Sequence, residues 1–583
     1  MDTAIKARID EWTSPPFDDY TIGEIRALVE RGDEKELVDR FRATLEFGTG
    51  GLRGVIGAGT NRMNDYTVGM ATQGLANYIV RRNRASDGVV IARDSRRMSA
   101  EFARAAASIL AGNGIWVYFF EDITPTPLCS FAIREFRAAG GIVITASHNP
   151  PEYNGYKVYW DDGGQVVPPQ DGEIIQEVNL VDSITKIKRI AFDDGVASGK
   201  IRVVGSDVTA AYLAHLEKHA LRPRGASSVR IVYTPLHGTG YRIVPEVLAH
   251  FGFTGVSLVA SQAKPDGAFP TVKSPNPEEP DALALSLELA REVNADIILA
   301  TDPDADRMGV GFKAPGGDYV LINGNQIGTM LEYYLLSRMK ENGTLPANGA
   351  VVKTVVTTDL QDRIAESFGC AAENVLTGFK WIALKMGEFD KTGARTFVFG
   401  GEESYGYLPV SFVRDKDAVS SCYFFVEMAD WLAREGKTLA GLLAMIYERF
   451  GLYLEDLHSL TLKGVDGMER ISRIMSAFRA AAPSEFASIP VTRADDLKKL
   501  SRTFTDTGKE ERIDGLPASD VLQFFLADGS KITMRPSGTE PKIKFYFSVN
   551  RGPGEKDKKA AEVALSEKLA ALKKDLLAKL EKV

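Results

Sequence analysis

The sequence predicts an α/β protein in which three similar α/β domains with mixed or parallel sheets precede a C-terminal α+β domain with an antiparallel sheet. Short apolar strands alternate with helical segments in three successive rounds, a pattern that is typical of parallel sheets with crossover helices. The last part of the chain instead carries strand patterns roughly ten residues apart, which is typical of an antiparallel sheet. The chain has 583 residues, a length that has room for roughly three to five domains.

The predicted elements divide the chain into four domains, with bounds at 1–205, 206–315, 316–450 and 451–583. Residues 1–45 are charged and have apolar residues at helical spacing. The segment 274–280 is a loop by composition, because it is rich in proline. The remaining elements, in chain order, are strands at 89–92, 115–120, 142–145, 229–233, 256–259, 297–300, 351–356, 396–399, 521–525, 531–534 and 543–547, and helices at 98–111, 128–136, 281–293 and 326–339.

The C-terminal helix carries leucines at intervals of three or four residues, which gives it one apolar face. We predict that this face packs on the antiparallel sheet rather than on a partner helix. The leucines are Leu565, Leu569, Leu572, Leu576 and Leu580.

Composition and charge indicate an ordinary globular protein, with 44% hydrophobic and 25% charged residues. The formal net charge of -8 argues against a general nucleic-acid binder, but a local cluster of Arg and Lys can still bind an anionic substrate. The three cysteines are widely separated, which favours a reducing compartment. We find neither an apolar signal segment near residue 1 nor an apolar run of the ~18 residues that a membrane span needs, so we expect a cytoplasmic protein without membrane contact.

The strand at 142–145 leads into Ser147 and His148. It is a short run of β-branched residues, which suits a strand that is covered on both faces. Pro150 ends regular structure because it lacks an N–H and restricts the residue before it. Ser147 and His148 are therefore expected at the carboxyl end of a strand, where open α/β sheets place their ligands. An ordinary loop is the alternative.

Three aspartates at alternate positions, Asp302, Asp304 and Asp306, follow the strand at 297–300. This spacing brings hard oxygen ligands together, which suits Mg²⁺. An EF-hand loop is excluded because Arg307 stands where that loop requires glycine. Without a cation the three carboxylates would raise one another's pKa values. A solvated acidic loop is the alternative.

Two further segments carry groups that suit a sugar phosphate. Glu402 and Ser404 follow the strand at 396–399 and offer acceptors and a hydroxyl to sugar OH groups, although a loop without a ligand is an equally good interpretation. The segment 535–542 combines Arg, Lys, two hydroxyls and a glycine, which are the parts of a phosphate cradle. A polar hairpin loop is the alternative there.

A glycine-rich run at 47–54 contains Arg53. Such glycine density lets backbone N–H groups approach a ligand closely, and a flexible connector is the alternative. The run is not a dinucleotide-binding fingerprint, because Arg53 stands where the last glycine should be.

In combination these segments resemble the α-D-phosphohexomutase superfamily, which contains the phosphoglucomutase and phosphomannomutase enzymes. The length of the chain and its FGTGGLRG run look most like the longer phosphoglucomutase/phosphopentomutase branch. The resemblance implies four domains around one central cleft, each supplying one loop. The matches follow the family's order over roughly residues 45–550: Thr145-Ala146-Ser147-His148-Asn149-Pro150, Asp302 to Arg307, Gly401-Glu402-Glu403-Ser404 and Arg535-Pro536-Ser537-Gly538-Thr539-Glu540.

The resemblance also implies a role for each matching residue. Ser147 would carry the phosphoryl group, and Mg²⁺ would be held by an oxygen of that phosphoserine with Asp302, Asp304 and Asp306. The other implied site residues are Arg53, His148, Lys157, Arg307 and Lys380 for catalysis or phosphate contact, Glu402 and Ser404 for sugar hydroxyls, and Arg535, Ser537, Gly538 and Thr539 for the phosphate that is not transferred.

The function that this resemblance implies is a phosphoglucomutase that interconverts glucose 1-phosphate and glucose 6-phosphate, with glucose 1,6-bisphosphate as intermediate and activator. A phosphomannomutase, a phosphopentomutase, a glucose-1,6-bisphosphate synthase, a sugar phosphatase and a non-catalytic sugar-phosphate binder are the alternatives. Either Lys157 or Lys380 could serve as general base, since the neighbouring carboxylates leave the sign of a lysine pKa shift open. Closure of the last domain over a small sugar phosphate, and a monomer or weak dimer, are also expected.

Overall fold

The computed structural model describes residues 2–46, 50–462, 465–537, 542–555 and 557–583. These residues contain three α/β sheets and one antiparallel sheet, which confirms the predicted fold class. The chain forms two compact units. Unit 1 comprises Met1–Gly324, Phe379–Gly400 and Ser404–Gly436, and unit 2 comprises Asn325–Gly378, Gly401–Glu403 and Lys437–Val583. No helix among the described residues is long and apolar enough to cross a membrane.

The first sheet lies in unit 1 and has six strands in the order β1-β5-β4-β2-β3-β6. Strand β2 pairs in parallel with β3 and β4, while β5 runs antiparallel to both β4 and β1. The central strands are buried on both faces, as their continuous apolar character predicts. The strands are β1 (Gly51–Val55), β2 (Val89–Arg93), β3 (Val117–Phe120), β4 (Gly140–Ile144), β5 (Tyr153–Trp160) and β6 (Ile201–Val204).

The predicted helical region at the start of the chain is confirmed. Its three helices enclose a small core in which Trp12 stacks on Phe17 with ring centroids 4.4 Å apart. The helices of this region and of the first sheet are α1 (Thr3–Trp12), α2 (Asp19–Glu30), α3 (Glu34–Phe41), α4 (Asp65–Arg81), α5 (Ser99–Gly112), α6 (Thr126–Phe136), α7 (Gln170–Asn179), α8 (Phe192–Ala197) and α9 (Ser206–Glu217), with a 3-10 turn at Ile184–Lys186.

Part of the glycine-rich run forms a strand rather than a loop. Gly51 begins β1, which pairs with β5, and Arg53 therefore lies on a strand. A Cβ on Gly51 would lie only 1.8 Å from the backbone oxygen of Tyr156, and its φ of +139° also favours glycine. The glycine thus allows a close approach between strands. Residues 47–49, at the start of the run, lie outside the described residues.

The second sheet, also in unit 1, has the order β11-β10-β9-β7-β8. Strand β9 runs parallel to β7 and antiparallel to β10. The predicted helix at 281–293 begins as a 3-10 turn, Pro280–Leu283, and becomes α-helical at Ala284. The elements are β7 (Ile231–Thr234), β8 (Val256–Leu258), β9 (Ile297–Thr301), β10 (Met308–Lys313), β11 (Tyr319–Ile322), α10 (Gly240–His250), α11 (Ala260–Ala263) and α12 (Ala284–Val293).

The third sheet has the strand order β13-β12-β14-β15. Its strands β12 and β13 pair in parallel, as the third strand–helix round predicts. The elements are β12 (Gly349–Thr354), β13 (Ala371–Val375), β14 (Thr396–Glu402), β15 (Gly406–Leu408), α13 (Gly324–Glu341), α14 (Leu360–Ser367), α15 (Phe379–Thr392), α16 (Ala418–Arg434) and α17 (Leu439–Phe450).

The fourth sheet lies in unit 2 and is antiparallel, which confirms the change of pattern near the C-terminus. The apolar face of α19 packs on β16 and β23, with four of its leucines buried and Leu569 half-buried, so the predicted packing is also confirmed. The elements are β16 (Leu452–Thr461), β17 (Glu485–Phe486), β18 (Ile489–Asp496), β19 (Ser501–Phe504), β20 (Glu510–Arg512), β21 (Leu522–Leu526), β22 (Lys531–Pro536), β23 (Lys542–Arg551), α18 (Val465–Ala480) and α19 (Lys558–Leu580).

Candidate active site

Ser147 occupies a tight turn just after β4. Its φ is +52°, in the left-handed region that few non-glycine residues adopt, and its backbone N–H donates to Thr145 Oγ1 at 2.8 Å. The residue is only 3% exposed. Strain of this kind persists where the surroundings impose it, and it concentrates at functional sites.

Arg96, which sequence reasoning missed, supports this turn from the loop after β2. Its guanidinium donates to the backbone oxygens of Ser147 (2.5 Å), Pro150 (2.8 Å) and Tyr153 (3.0 Å), and also to that of Asn149. Arg is suited to such a role because its planar fork carries five donors. The only signal in the sequence is the charged cluster that directly follows the strand at 89–92.

The three aspartates, which we call the aspartate triad, come together beside Ser147. One ligand oxygen from each lies within 4.8 Å of the others, and all three residues are buried. Ser147 Oγ donates to Asp302 Oδ2 at 2.6 Å. The serine and the triad, which lie at the ends of strands in two different sheets, therefore form one cluster in unit 1.

The backbone after β9 holds the aspartate triad in place. Asp302 Oδ1 accepts from the N–H groups of Asp306 (3.1 Å) and Arg307 (3.0 Å). Asp304 Oδ2 accepts from Thr126 Oγ1 at 2.8 Å, at the start of α6. Asp302 and Asp304 are therefore oriented by donors from neighbouring segments.

Two carboxylate oxygens remain for a cation. Within the described residues, Asp304 Oδ1 and Asp306 Oδ1 are buried and accept no hydrogen bond from the protein. A buried anionic oxygen without a donor is costly unless a cation compensates it. Hard carboxylate oxygens are the ligands that Mg²⁺ prefers, so these residues suit that ion.

Two lysines neutralise part of this charge. Lys157 Nζ lies 2.7 Å from Asp304 Oδ2 and 3.2 Å from Asp306 Oδ2, and Lys416 Nζ lies 3.2 Å from the same Asp306 oxygen. Sequence reasoning proposed Lys157 but missed Lys416, which lies in the charged run 414–417 before the apolar helix α16. Lys416 is also oriented by Asp415, which it contacts at 3.3 Å.

The pKa values follow from burial and from these pairs. Burial lowers the pKa of Lys157, but Asp304 and Asp306 outweigh it and the net shift is upward, so Lys157 carries a positive charge. Burial and the other two carboxylates raise the pKa of Asp302 well above its usual value. Burial opposes ionisation of Asp306, yet Lys416 and Lys157 hold its pKa below its usual value.

His148 is a neutral neighbour of the serine. Its Nδ1 lies 3.2 Å from Ser147 Oγ. Burial lowers its pKa well below the usual value, and the charges of Arg307 and Arg53 lower it further. Arg53 on β1 thus acts electrostatically on this turn.

Lys380, in the first turn of α15, lies in a different environment. Burial lowers the pKa of its ammonium, and Asp171 opposes that shift. Its Nζ lies 5.1 Å from the ring centre of Trp381.

The predicted sugar and phosphate residues that lie in unit 2 share one neighbourhood. Glu402 Oε1 accepts from the N–H of Gly378 at 2.9 Å. Burial and then Glu403 raise the pKa of Tyr546, whereas Arg535 acts to lower it and Glu402 to raise it. Tyr546 is therefore surrounded by charges from both predicted segments.

The remaining residues predicted to bind sugar or phosphate are Ser404, Ser537, Gly538 and Thr539. The backbone N–H of Ser537 donates to the oxygen of Lys542 at 2.7 Å in unit 2. Ser404 belongs to unit 1, in the turn between β14 and β15. Gly538 and Thr539 lie outside the described residues.

Comparison with known families gives consistent matches along the chain. The phosphoglucomutase/phosphomannomutase alpha/beta/alpha domains I, II and III match residues 44–184, 210–316 and 323–450. A phosphoglucomutase from Staphylococcus haemolyticus is 37% identical over 510 residues, which covers 88% of this chain and 91% of the relative. A phosphoglucomutase from Staphylococcus aureus is 35% identical over 525 residues, with coverage of 90% and 93%.

Solved structures share the fold. A phosphoglucomutase/phosphomannomutase family protein from Burkholderia thailandensis superposes with a TM-score of 0.63 at 21% identity, covering 93% of this chain and 98% of the other. The phosphoglucomutase parafusin from Paramecium, in its open form, gives a TM-score of 0.64 at 18% identity, with coverage of 92% and 96%.

Proposed function

The chain belongs to the phosphoglucomutase/phosphomannomutase family of the α-D-phosphohexomutase superfamily, an isomerase family, and we propose that it interconverts glucose 1-phosphate and glucose 6-phosphate through a phosphoserine at Ser147. The observation that carries the proposal is the 2.6 Å hydrogen bond from Ser147 Oγ to Asp302 of the aspartate triad. A neutral serine is a weak nucleophile, and a stored phosphoryl group makes it a donor instead.

The reaction consists of two phosphoryl transfers. In the first, the O–P bond of phosphoserine 147 breaks, the C6 oxygen of glucose 1-phosphate bonds to phosphorus, and the C6 hydroxyl proton passes to a base. The product is glucose 1,6-bisphosphate. After this bisphosphate turns over, its C1 O–P bond breaks, the phosphoryl group bonds to Ser147 Oγ again, the C1 oxygen takes the proton back from the base, and glucose 6-phosphate leaves. The bisphosphate also serves as activator, because it rephosphorylates an enzyme that has lost its phosphate.

Lys157 and Lys380 have different proposed roles, one in charge neutralisation and the other in proton transfer. The raised pKa of Lys157 makes it a fixed cation beside the aspartate triad. The pKa of Lys380 is lowered by burial, which suits a general base better. Arg307 and Arg53 supply positive charge for the transferring phosphoryl group, whose transition state spreads charge over its oxygens.

The aspartate triad, with an oxygen of the phosphoserine, would hold Mg²⁺, which neutralises charge that develops during phosphoryl transfer. The two oxygens without donors, Asp304 Oδ1 and Asp306 Oδ1, support this assignment. His148 remains neutral and orients the serine side chain.

The substrate's other end needs sugar and phosphate contacts. Glu402 and Ser404 are proposed to bind sugar hydroxyls. The residues proposed for the phosphate that is not transferred are Arg535, Ser537, Gly538 and Thr539. A closed last domain would exclude water, which otherwise hydrolyses the phosphoserine.

The decisive test combines mass and turnover. Purified wild-type enzyme is expected to carry an increment of ~80 Da, one phosphoryl group, and to convert glucose 1-phosphate without net release of inorganic phosphate. Ser147→Ala removes both the increment and the turnover, whereas Ser198→Ala, at an exposed position, changes neither. Stoichiometric phosphate release would indicate a phosphatase, and an inactive wild type with no increment would indicate a sugar-phosphate binder.

The sugar preference needs its own measurement, because one hydroxyl distinguishes glucose from mannose. We expect kcat/KM, with trace bisphosphate, to be highest for glucose 1-phosphate and lower for mannose and ribose 1-phosphates. A reversed order would make the chain a phosphomannomutase or phosphopentomutase by the same mechanism. A cytoplasmic monomer or weak dimer without nucleic-acid partners remains part of the proposal, and the buried, unbridged cysteines support a reducing compartment.

A further inference from the structure

The proline-rich segment 274–280 contacts two parts of the candidate site in unit 1. It follows α11 and ends at the first residue of the 3-10 turn that precedes α12. Ser274 Oγ donates to the backbone oxygen of His148 at 3.0 Å. Glu278 Oε1 accepts from Arg307 Nη1 at 2.5 Å. The segment therefore links the serine turn to the residue that follows the aspartate triad.

The local structure of this segment sets the direction of Glu278. Asn276 Oδ1 accepts from the N–H of Glu278 at 3.2 Å, and the backbone oxygen of Asn276 accepts from the N–H of Glu279 at 3.0 Å. Pro277 is buried against Gly309, where a Cβ would lie 2.9 Å from the proline. Proline also restricts φ, so the backbone on either side of Asn276 has little freedom.

Glu278 is half-buried and pairs with a guanidinium that is also largely buried. Its side chain is 28% exposed, and that of Arg307 is 18% exposed. A second carboxylate lies close to this guanidinium: Asp306 Oδ1 is 3.9 Å from Arg307 Nε. Glu278 therefore competes for this guanidinium with Asp306, a carboxylate that is proposed to bind metal.

The same carboxylate faces the segment that carries Ser404. The pKa of Tyr405 is raised by burial and then by Glu278. Tyr405 has a left-handed φ of +66°, and its backbone oxygen accepts from the N–H of Met308 at 2.9 Å. Arg307 and Gly406 also form a β-bridge. Glu278 thus lies where the segments of Arg307 and Ser404 meet.

We propose that Glu278 is a positioning residue that holds the Arg307 guanidinium ready for the transferring phosphoryl group. The inference rests on the proposed function. An Arg side chain loses rotamer entropy when it is ordered, and a partner that orders it beforehand removes that cost from the transition state.

The first experiment compares three purified full-length variants. Glu278→Gln keeps the shape but loses the charge, and it is expected to lower kcat about 10- to 100-fold, the usual cost of a misplaced group, with KM changed less than about threefold. Glu278→Asp is expected to recover part of the loss. Glu279→Gln, the exposed neighbour, is the matched control and should retain wild-type kinetics. The thermal midpoint and the phosphoserine mass increment should be the same in all three.

A double-mutant cycle shows whether Glu278 acts through Arg307. Single-turnover transfer is measured at high enzyme concentration for Glu278→Gln, Arg307→Gln and the double variant. We expect Glu278→Gln to add less than about twofold to the loss caused by Arg307→Gln. If the rate loss of the double variant equalled the product of the two single losses, the positioning role would be overturned while the proposed function stands. A Glu278→Gln variant as active as Glu279→Gln would have the same consequence. A wild type that lacks mutase activity would overturn both.

Discussion

The aspartate triad in unit 1 and a second buried cluster in unit 2 have similar compositions but balance their charge differently. We call the second cluster the Lys353 network: Lys353 Nζ lies 3.2 Å from both Asp359 and Asp362, and Lys531 Nζ lies 2.7 Å from Asp359. In the described part of the chain, only the triad brings three carboxylates within 4.8 Å.

Two further acids of unit 2, Glu332 and Glu455, have raised pKa values and so favour the neutral form. Burial raises the pKa of Glu332 well above its usual value, and nearby Asp362 raises it further. Burial also raises the pKa of Glu455 to about 7. The comparison teaches that carboxylate spacing, rather than the number of buried acids, distinguishes a candidate metal centre from a structural ion network.

The largest expected effect is on the metal centre. Asp304→Asn removes one ligand charge, and it should lower kcat at least about a thousandfold, because a bound cation supplies several kcal/mol of transition-state stabilisation. Wild-type enzyme should also gain about 2.7 kcal/mol in the free energy of unfolding at a Mg²⁺ concentration of 100 Kd. The variant should lose that gain, as followed by thermal unfolding with and without Mg²⁺. The exposed Asp514→Asn is the control, and an unchanged Mg²⁺ response in Asp304→Asn would contradict the assignment.

The Lys353 network should affect stability rather than catalysis. Lys353 is 1% exposed. Lys353→Met leaves the half-buried Asp362 without this cation, whereas Asp359 keeps Lys531. The expected cost in the free energy of unfolding is about 3 kcal/mol, the lower end of the range for a broken buried pair. Urea denaturation measures that change. Lys509→Met, in a solvent-exposed pair with Glu511, should leave the midpoint unchanged. Equal midpoints for the two variants would show that the network is not stabilising. If Lys353→Met also lost the Mg²⁺ response, the network would take part in metal binding and the contrast between the two clusters would be wrong.

The smallest expected effect is a pH dependence that arises from Glu455. Its folded pKa of about 7 lies above the ordinary 4.5, so its stabilising contribution is complete below about pH 4.5 and is lost as the pH rises to 7. Relative to Glu455→Gln, wild type should therefore lose about 2–3 kcal/mol between those values. Urea midpoints of both proteins at pH 4.5, 6 and 8 measure the difference. The raised pKa of Glu455 would be contradicted if the difference in urea midpoint between wild type and Glu455→Gln did not vary with pH. It would also be contradicted if wild type became the more stable of the two as the pH rises.

Local patterns were sufficient for most elements of the fold. The apolar run 142–145 and the leucine spacing of α19 depend only on side-chain periodicity, and both predicted the observed element. The glycines at 47–54 were harder to interpret, because a glycine allows either a ligand or another strand to approach. Only the position of Tyr156 shows that Gly51 serves strand pairing.

Site residues outside any motif could not be found in this way. Arg96 and Glu278 act through hydrogen bonds to other segments of the chain, and Lys416 lies 110 positions after Asp306 yet contacts it at 3.2 Å. No spacing rule connects such residues. The only signal in the sequence was that Arg96 and Lys416 belong to charged runs beside apolar elements. Glu278, in its proline-rich loop, had none.

By itself the sequence determined the strand and helix periods, the types of residue at each strand end and, through their order, the family resemblance. Tertiary structure alone decided which of these groups meet: it brings Ser147 within 2.6 Å of Asp302, 155 residues away. It also decided whether the pKa of Lys157 rises or falls, because burial lowers this pKa and two carboxylates raise it. The physical reason is that Coulomb energies and desolvation depend on distances and burial in the folded chain, and a sequence specifies these only after it has folded.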